Sequence, residues 1–152
     1  MTVTIKTDES KEIELDLAMD KIFELEEKLK EYEQVNLDVK HHFGGGIYAR
    51  ELLIPKDTVL TGKMHTHEHL NIMLSGDITV STETGTKRIN KPCVITSKPG
   101  TKRAGYAHED TIWITFHATK ETDLAVIESI FIADNPQEFI EQLKKEDKIC
   151  LG

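Results

Sequence analysis

A histidine-rich stretch at residues 62–76 constrains the fold of this chain more than any other feature. It reads Gly-Lys-Met-His-Thr-His-Glu-His-Leu-Asn-Ile-Met-Leu-Ser-Gly and holds three of the seven histidines at alternate positions. Successive side chains of a β-strand point to opposite faces, whereas residues two apart on a helix diverge by about 200°. The pattern therefore predicts a strand whose polar face carries His65, His67, His69 and Asn71. Its opposite face is aliphatic and carries Leu70, Ile72 and Leu74.

A row of imidazoles on one strand face favours a metal site. Neutral imidazole is a common protein ligand for zinc, iron and nickel, and two imidazoles two residues apart on a strand can reach one ion. The sequence thus predicts a divalent metal ion, with zinc, iron, manganese and nickel as the candidates. Two alternatives stay open at this point, namely a solvated polar sheet face and a hydrogen-bonded histidine cluster without metal.

The same stretch resembles the first conserved motif of the cupin superfamily. That motif reads Gly, five residues, His-x-His, three or four residues, Glu, six residues, Gly, and here Gly62, the pair His65-x-His67 and Gly76 carry the resemblance. The place of the Glu falls on His69 when counted back from Gly76, and on Asn71 when counted forward from His67. Both lie on the predicted polar face, so the resemblance implies a metal site with one of them as a further ligand.

The second cupin motif is matched less closely. It reads Gly, five residues, Pro-x-Gly, two residues, His, three residues, Asn, and residues 98–103, Lys-Pro-Gly-Thr-Lys-Arg, occupy its place. Arg103 stands where the family has a metal-binding histidine, and Ala107 stands where it has the asparagine. The resemblance therefore leaves two alternatives open: either His108 or His117 supplies the missing ligand, or the second motif is only structural.

A wider segment, residues 48–117, is similar to small cupin-like proteins encoded by tailed bacteriophages. The similarity covers roughly half of the chain. It rests on short runs, which are Tyr48-Ala49-Arg50-Glu51, Ile54-Pro55, the histidine stretch, residues 99–103, Glu109-Asp110-Thr111, Trp113 and His117. A viral origin would place the protein in the cytoplasm of a host cell.

Short alternating segments separated by Pro and Gly turns recur about every ten residues, which is typical of a β-sandwich or barrel. Strands are predicted at 47–54, 58–63, the histidine stretch, 78–82, 87–90, 93–97, 111–118 and 125–132. Turns are predicted at 55–57, 75–77, 83–86 and 98–100, and residues 36–46, which contain three consecutive glycines, are predicted to be a flexible loop. The fold class is therefore mainly β, a cupin-like double-stranded β-helix or jelly-roll barrel, with an N-terminal amphipathic helix and a short C-terminal helix.

The N-terminal segment combines a predicted short β-hairpin with an amphipathic helix at about residues 16–34. Its apolar positions follow heptad spacing, at Leu15, Ala18, Ile22, Leu25, Leu29 and Tyr32. Such a helix either lies on its own sheet or forms a short oligomerising coil. Asn135 and Pro136 suit the N-cap and first turn of a C-terminal helix ending near Lys148. The predicted organisation is 1–40 for the hairpin and helix, 41–134 for the barrel, and 135–152 for the C-terminal helix and tail.

Composition excludes several classes of function. The net charge of −8 and the pI of about 5.4 argue against a nucleic-acid partner, since phosphates require a basic surface. No apolar run approaches the ~20 residues that span a bilayer, so no membrane partner is expected. The N-terminus lacks the apolar core of a signal peptide, and the two cysteines, Cys93 and Cys150, form no CxxC pair. The sequence predicts a cytoplasmic protein, and the heptad pattern predicts a homo-oligomer.

The residues around the motifs suggest a pocket for a small molecule. The candidate metal ligands are His65, His67, His69 and His117. The candidate ligand-binding residues are Tyr48, Arg50, Asn71, Arg103 and Trp113. An arginine at a metal-ligand position attracts phosphate or carboxylate, so the ligand is expected to be a small polar or anionic molecule, bound with or without a metal. Two functions are consistent with this site, a metal-dependent enzyme and a non-catalytic ligand-sequestering or virion-associated oligomer with a structural metal or none; whether turnover occurs is left open.

Overall fold

The computed structural model describes residues 3–6, 19–82 and 84–151. Within these residues the chain forms a mainly β, antiparallel fold with flanking helices. The strands are β1 (Val3–Lys6), β2 (Asp38–Gly44), β3 (Ile47–Ile54), β4 (Thr58–Thr61), β5 (His69–Thr82), β6 (Gly85–Ile89), β7 (Cys93–Ser97) and β8 (Ala104–Ala118). The helices are α1 (Met19–Leu29), α2 (Leu124–Phe131) and α3 (Pro136–Leu151).

The eight strands form one sheet that bends back on itself through its two longest members, β5 and β8. One edge of β8 pairs with β3 and β4 in turn, its other edge pairs with β5, and the far edge of β5 pairs with β7 and β6. We call β2, β3, β7 and the adjoining ends of β5 and β8 (residues 69–75 and 111–118) the first half-sheet. The second half-sheet holds β1, β4, β6 and residues 78–82 and 104–107. This pairing confirms the predicted rolled antiparallel architecture.

The sheet bends in β5 where its register against β8 shifts, between Met73 and Ile78. Gly76 lies at this irregularity with φ of 113°, and a Cβ placed on it would lie 2.5 Å from the carbonyl oxygen of Asp110 and 2.5 Å from Oγ1 of Thr111. The two strands can approach this closely only because the residue is glycine. The predicted hairpin turn at 75–77 is therefore wrong, since a single strand runs through it.

The core lies between the two half-sheets. Leu52 and Ile54 of β3 point inward, and Leu53 between them is exposed. Buried residues from both halves complete this cluster, namely Leu60, Met73, Ile78, Val80, Ile89 and Ala107. The predicted strands at 47–54 and 93–97 coincide with β3 and β7, and β8 begins seven residues before the predicted strand at 111–118.

Helix α1 packs on the sheet of its own chain. Ile22 and Leu29 are buried, and Leu25 packs beside them. Their partners on the second half-sheet are Val59, Ala104 and Tyr106. Three of the apolar positions with heptad spacing, Ile22, Leu25 and Leu29, are thus used within the chain, in line with the first of the two predicted roles of this helix, whereas Tyr32 is 62% exposed. The predicted hairpin lies partly in residues 7–18, outside the described residues.

A buried ion pair fixes α1 to the barrel. Lys102 is only 7% exposed, and its ammonium group donates to the carboxylate of Glu26. The same carboxylate oxygen accepts a hydrogen bond of 2.7 Å from Oγ1 of Thr61. Burial raises the pKa of Glu26, but the two hydrogen bonds and the charge of Lys102 outweigh it, and the pKa lies below its usual value.

Residues 36–46 are not the predicted flexible loop. They form strand β2 and a tight turn into β3, with Gly44 paired to Ile47. Gly45 and Gly46 have φ of 60° and 76°, the left-handed conformation that two-residue hairpin turns require. The glycines that indicated flexibility therefore serve a defined turn.

The predicted strand at 125–132 is helix α2. Asp123 caps it, because its Oδ1 accepts from the backbone N–H of Ala125 at 2.9 Å and of Val126 at 3.4 Å. The predicted C-terminal helix is present as α3, where Oδ1 of Asn135 accepts from the N–H of Glu138 at 3.1 Å. None of the helices in the described part of the chain combines the length and the apolar character needed to span a bilayer.

Candidate metal centre

A cavity of about 320 Å³ opens between the two half-sheets, and α2 contributes to its wall. Core side chains of both halves form its apolar part, namely Leu52, Ile54, Ile78 and Val80. Three histidines, His65, His69 and His117, line the same cavity. The cavity thus joins a cluster of imidazoles to an apolar interior.

One ring nitrogen of each of these three histidines lies within 4.8 Å of the others. The rings of His65 and His69 stack with centroids 4.3 Å apart, and the ring of His117 lies 4.9 Å from each of them. His69 and His117 are buried, and His65 is partly buried. Chain segments distant in sequence therefore place three imidazoles around one point.

The three histidines are positioned in different ways. His117 lies on β8, opposite Tyr48 of β3, and His69 is the first residue of β5, opposite Ser97 of β7. His65 precedes β5 in an irregular segment and forms only an isolated bridge to Ile132. Sheet pairing thus fixes two of the rings, and a segment between strands supplies the third.

The predicted continuous strand through residues 62–76 is wrong before His69. The carbonyl oxygen of His65 accepts from the N–H of Gly100 at 2.9 Å, and the N–H of Thr66 donates to the carbonyl of Phe131 at 2.8 Å. Because these backbone groups bond to a turn and to the end of α2 rather than to a neighbouring strand, the segment does not keep the period-two alternation.

His67 lies outside the cluster. Its side chain is exposed, its Nδ1 lies 2.7 Å from Oγ1 of Thr66, and its ring meets Phe131 edge-on at 5.1 Å. The contribution of His67 to the site comes from its backbone, since its carbonyl oxygen accepts a hydrogen bond of 2.9 Å from Nδ1 of His69. The sequence pattern had placed the His67 ring beside the other two.

Hydrogen bonding defines which nitrogens are available. A carbonyl oxygen can only accept, so Nδ1 of His69 carries the proton and Nε2 keeps its lone pair. Nδ1 of His65 and Nε2 of His117 lie 3.0 Å apart, so one of these atoms donates to the other when both rings are neutral. The three histidines therefore offer ring nitrogens to one point, and a metal ion bound there would replace the hydrogen bond between His65 and His117.

Burial keeps these imidazoles neutral. It lowers the pKa of His65 to about 2, with further lowering from the neighbouring His69 and His117. It lowers the pKa of His117 to about 4, helped by His69 and His67. Burial also lowers the pKa of His69, against the opposing hydrogen bond to the His67 carbonyl. Neutral imidazole is the form that binds a metal ion.

Asn71 lies outside the histidine cluster. Its Oδ1 accepts from Nε1 of Trp113 at 3.2 Å and from Oγ1 of Thr115 at 2.9 Å, and its Nδ2 donates to Oγ of Ser97 at 2.8 Å. Its amide oxygen is thus engaged twice, by two side chains. Of the two candidates for the glutamate place of the first motif, the structure brings His69 and not Asn71 to the cluster.

The residues considered for the second motif lie in separate places. Arg103 lines the cavity, where its Nη1 donates to the carbonyl of Ser81 at 3.1 Å and its Nη2 donates to Oγ of Ser97 at 3.0 Å. Its charge contributes to the lowered pKa of His69. His108 bonds Oγ1 of Thr79 at 2.7 Å in the second half-sheet, so His117 and not His108 joins the cluster.

Sequence reasoning missed the contribution of α2 to the site. Phe131 stacks on His117 with ring centroids 4.2 Å apart and an interplanar angle of 20°. Ile127, one helical turn earlier, is buried against Tyr48, whose hydroxyl lies 2.8 Å from Nδ1 of His41. Asp123 as an N-cap, with Ile127 and Phe131 four residues apart, was the signal that could have identified this helix.

The residues present fit a transition-metal ion. The cluster offers three neutral nitrogen donors and, among the described residues, no carboxylate. Imidazole suits zinc, iron and nickel, whereas manganese prefers carboxylate and water oxygens. Of the four metals predicted from the sequence, the donors present suit zinc, iron and nickel better than manganese.

No family model and no curated protein matches the chain. Among solved structures, it is similar to KdgF from Halomonas sp., with 14% identity and a TM-score of 0.48 over 60% of this chain and 92% of that chain. It is also similar to a cupin domain from Bordetella pertussis, with 11% identity and a TM-score of 0.43 over 57% and 96% of the two chains. A third is an RmlC-like cupin from Shewanella frigidimarina, with 14% identity and a TM-score of 0.41 over 53% and 81%. Because these TM-scores are below 0.5, the fold is defined by the strand pairing of this chain and not by its similarity to these structures.

Proposed function

We propose that His65, His69 and His117 hold one divalent metal ion and that a small anionic molecule binds beside it in the cavity. One observation carries the metal part of the proposal, which is the convergence of three ring nitrogens to within 4.8 Å of one another. The hydrogen bond from His69 to the His67 carbonyl supports it, because metal-bound histidines commonly donate their second nitrogen to such an acceptor.

When bound, such an ion polarises a ligand oxygen or lowers the pKa of a bound water. The side chains of this protein would orient and shield that chemistry. Phe131 covers one face of His117, and part of the cavity wall is apolar. Apolar surroundings lower the local dielectric constant and so strengthen electrostatic interactions at the site.

The charge of the cavity supports an anionic ligand. Two guanidinium groups, those of Arg50 and Arg103, line it. Glu128 is the one acidic residue in its described lining, and its carboxylate is paired with Lys63. The chain as a whole has a net charge of −8, so the positive charge of this cavity is a local feature. Such a feature favours the binding of a negative ligand.

A non-catalytic, ligand-sequestering protein is the second candidate. It is favoured by the lack, within the described part of the cluster, of a carboxylate that could act as a general base beside the metal. A virion-associated role, a bacteriophage origin, a cytoplasmic location and a homo-oligomeric state all stay predictions from the sequence.

Titration with cobalt(II) tests the metal proposal. Cobalt(II) replaces zinc in nitrogen sites, and its visible absorption reports coordination by the protein. We expect wild-type protein and His67→Ala to develop this absorption with saturation at about one ion per chain, and His65→Ala and His117→Ala to lose it. Equal spectra for all four proteins would reject the three-histidine site.

A further inference from the structure

The inner face of the first half-sheet is arranged in rows across the strands. Strand register places Arg50 opposite Thr115 and Thr115 opposite Asn71, and the rows on either side follow the same pairing. The imidazole row holds Tyr48, His117 and His69; the polar row holds Arg50, Thr115 and Asn71; the apolar row holds Leu52, Trp113 and Met73. Neighbouring rows are two residues apart along each strand, which is about 7 Å.

Arg50 is the member of the polar row with unused hydrogen-bonding capacity. Thr115 donates to Asn71, and the amide of Asn71 is bonded to three side chains. The guanidinium of Arg50 is largely withdrawn from solvent and lines the cavity, yet it makes no hydrogen bond or ion pair with any residue that the structure describes. A ligand group entering this row would therefore meet the donors of Arg50.

Removing a cation from solvent without a hydrogen-bonding or charged partner costs free energy, and an arginine stays charged at any physiological pH. The carboxylate whose charge acts on Arg50 is that of Glu128, and this carboxylate is already bonded to Lys63. A bound anion would compensate the charge of Arg50 and use its planar fork of donors. Two parallel N–H···O bonds to a carboxylate match that fork.

The chemistry around Arg50 narrows the ligand further. Lys63 is paired with Glu128, and Arg103 already donates to the neutral acceptors of Ser81 and Ser97. Among the cavity residues that the structure describes, Arg50 is therefore the cation that offers its whole fork of donors to one carboxylate. The next row inward is apolar. The neighbourhood thus fits one carboxylate attached to an apolar body.

We propose that Arg50 binds the carboxylate of a small amphipathic monocarboxylic acid whose apolar body lies against Leu52 and Trp113. The proposal deepens the proposed function, on which it rests for the use of the same cavity by the metal ion and the ligand. In this arrangement the metal ion lies at the imidazole row, the ligand carboxylate at the polar row, and the ligand hydrocarbon at the apolar row.

Calorimetric titration of metal-free protein with hexanoate tests this assignment. We expect hexanoate to bind, butanoate to bind more weakly by about fourfold for each methylene removed, and 1-hexanol to bind at least about tenfold more weakly than hexanoate. Arg50→Gln should weaken hexanoate about tenfold or more. The matched control is Arg88→Gln, which removes the same charge from a guanidinium bonded to Asp77, outside the cavity, and should leave hexanoate binding unchanged.

Two further titrations, one with the Arg50→Lys variant and one with butyl phosphate, test the role of Arg50 and the choice of a carboxylate. Arg50→Lys keeps the charge but loses the fork, and it should bind hexanoate more weakly than wild type even where Arg50→Gln folds poorly, as judged by circular dichroism. Butyl phosphate should bind more weakly than hexanoate, and tighter binding of the phosphate would overturn the choice of a monocarboxylate. Hexanoate affinity that is equal in wild type, Arg50→Gln and Arg50→Lys would overturn the role of Arg50.

The same titrations separate this proposal from the metal proposal. Arg50-dependent hexanoate binding in a protein that takes up no cobalt(II) would support the carboxylate site and reject the metal centre. Cobalt(II) uptake without any hexanoate binding would keep the metal centre and overturn the carboxylate site.

Discussion

Nδ1 of His69 lies 2.9 Å from the backbone carbonyl oxygen of His67, and this contact links two histidines that sequence alternation had assigned identical roles. One of them contributes its ring to the cluster, and the other contributes a carbonyl that orients that ring. We predict that His69 in the metal-free protein is a neutral imidazole with its proton on Nδ1. Long-range nitrogen–proton NMR spectra at about pH 7 check this. A spectrum of the opposite tautomer, with the proton on Nε2, would contradict it.

Acid should destabilise the metal-free protein through its buried histidines. The pKa of His117 is lowered to about 4 and that of His65 to about 2, so below about pH 6.5 the unfolded chain binds protons that the folded chain does not. The stability from these groups is complete above pH 6.5 and is lost as the pH falls toward those values. The expected slope is about 1.4 kcal/mol per pH unit for each histidine.

Urea unfolding at about pH 7 and about pH 5, with a chelator present, measures this slope. His117→Leu should reduce the pH dependence, because it removes one of the shifted groups. Replacement of His67, which is exposed and lies outside the cluster, serves as the control and should change the slope less than His117→Leu does. A slope that is the same in wild type and His117→Leu would contradict the assignment.

The buried Glu26–Lys102 pair should be far more sensitive to single replacement than an exposed pair on the same helix. We expect Glu26→Gln to lower the free energy of unfolding by about 3 kcal/mol, because it leaves the buried ammonium of Lys102 without its counter-charge. Glu27→Gln, which breaks the exposed pair with Lys30, should cost less than about 1 kcal/mol. Urea unfolding of both variants compares them, and equal losses would show that burial of the pair has no consequence.

Gly76 should tolerate no side chain. A Cβ at this position would lie 2.6 Å from Cα of Thr111, against backbone that cannot move without shifting β8. We predict that Gly76→Ala lowers the free energy of unfolding by about 3 kcal/mol or more. Gly44→Ala is the control, since no atom lies within 4 Å of its Cβ position and its φ is not positive. Thermal unfolding of the two variants at similar midpoints would contradict this reading of the bend.

Strands that alternate and end at clear turns could be predicted from the sequence. Residues 47–54 and 93–97 match β3 and β7, because most of their inward positions, with the exception of Arg50, are apolar or small and their ends carry turn residues. Strand β2 was missed because it is an edge strand with mostly exposed side chains, so no apolar alternation marks it. The sequence of helix α2 predicts a strand because a short apolar run fits either period, and only the capping residue Asp123 distinguishes the two.

The candidate site could be predicted in part. His65, His69 and His117 were all candidates, but their convergence depends on the pairing of β5 with β8 and of β8 with β3, which a local pattern does not contain. His67 was misplaced because the alternation rule requires a strand, and the backbone around it bonds to α2 and a turn. The position of Arg50 one row from the imidazoles likewise depends on strand register.

The metal content of the purified protein tests the central proposal most directly. Elemental analysis of wild type, His69→Ala and His67→Ala, prepared side by side with the same metal supplied, compares a ring inside the cluster with one outside it. The three-histidine centre predicts about one divalent ion per chain in wild type and in His67→Ala, and almost none in His69→Ala. Equal metal content in wild type and His69→Ala, whether high or near zero, would contradict it.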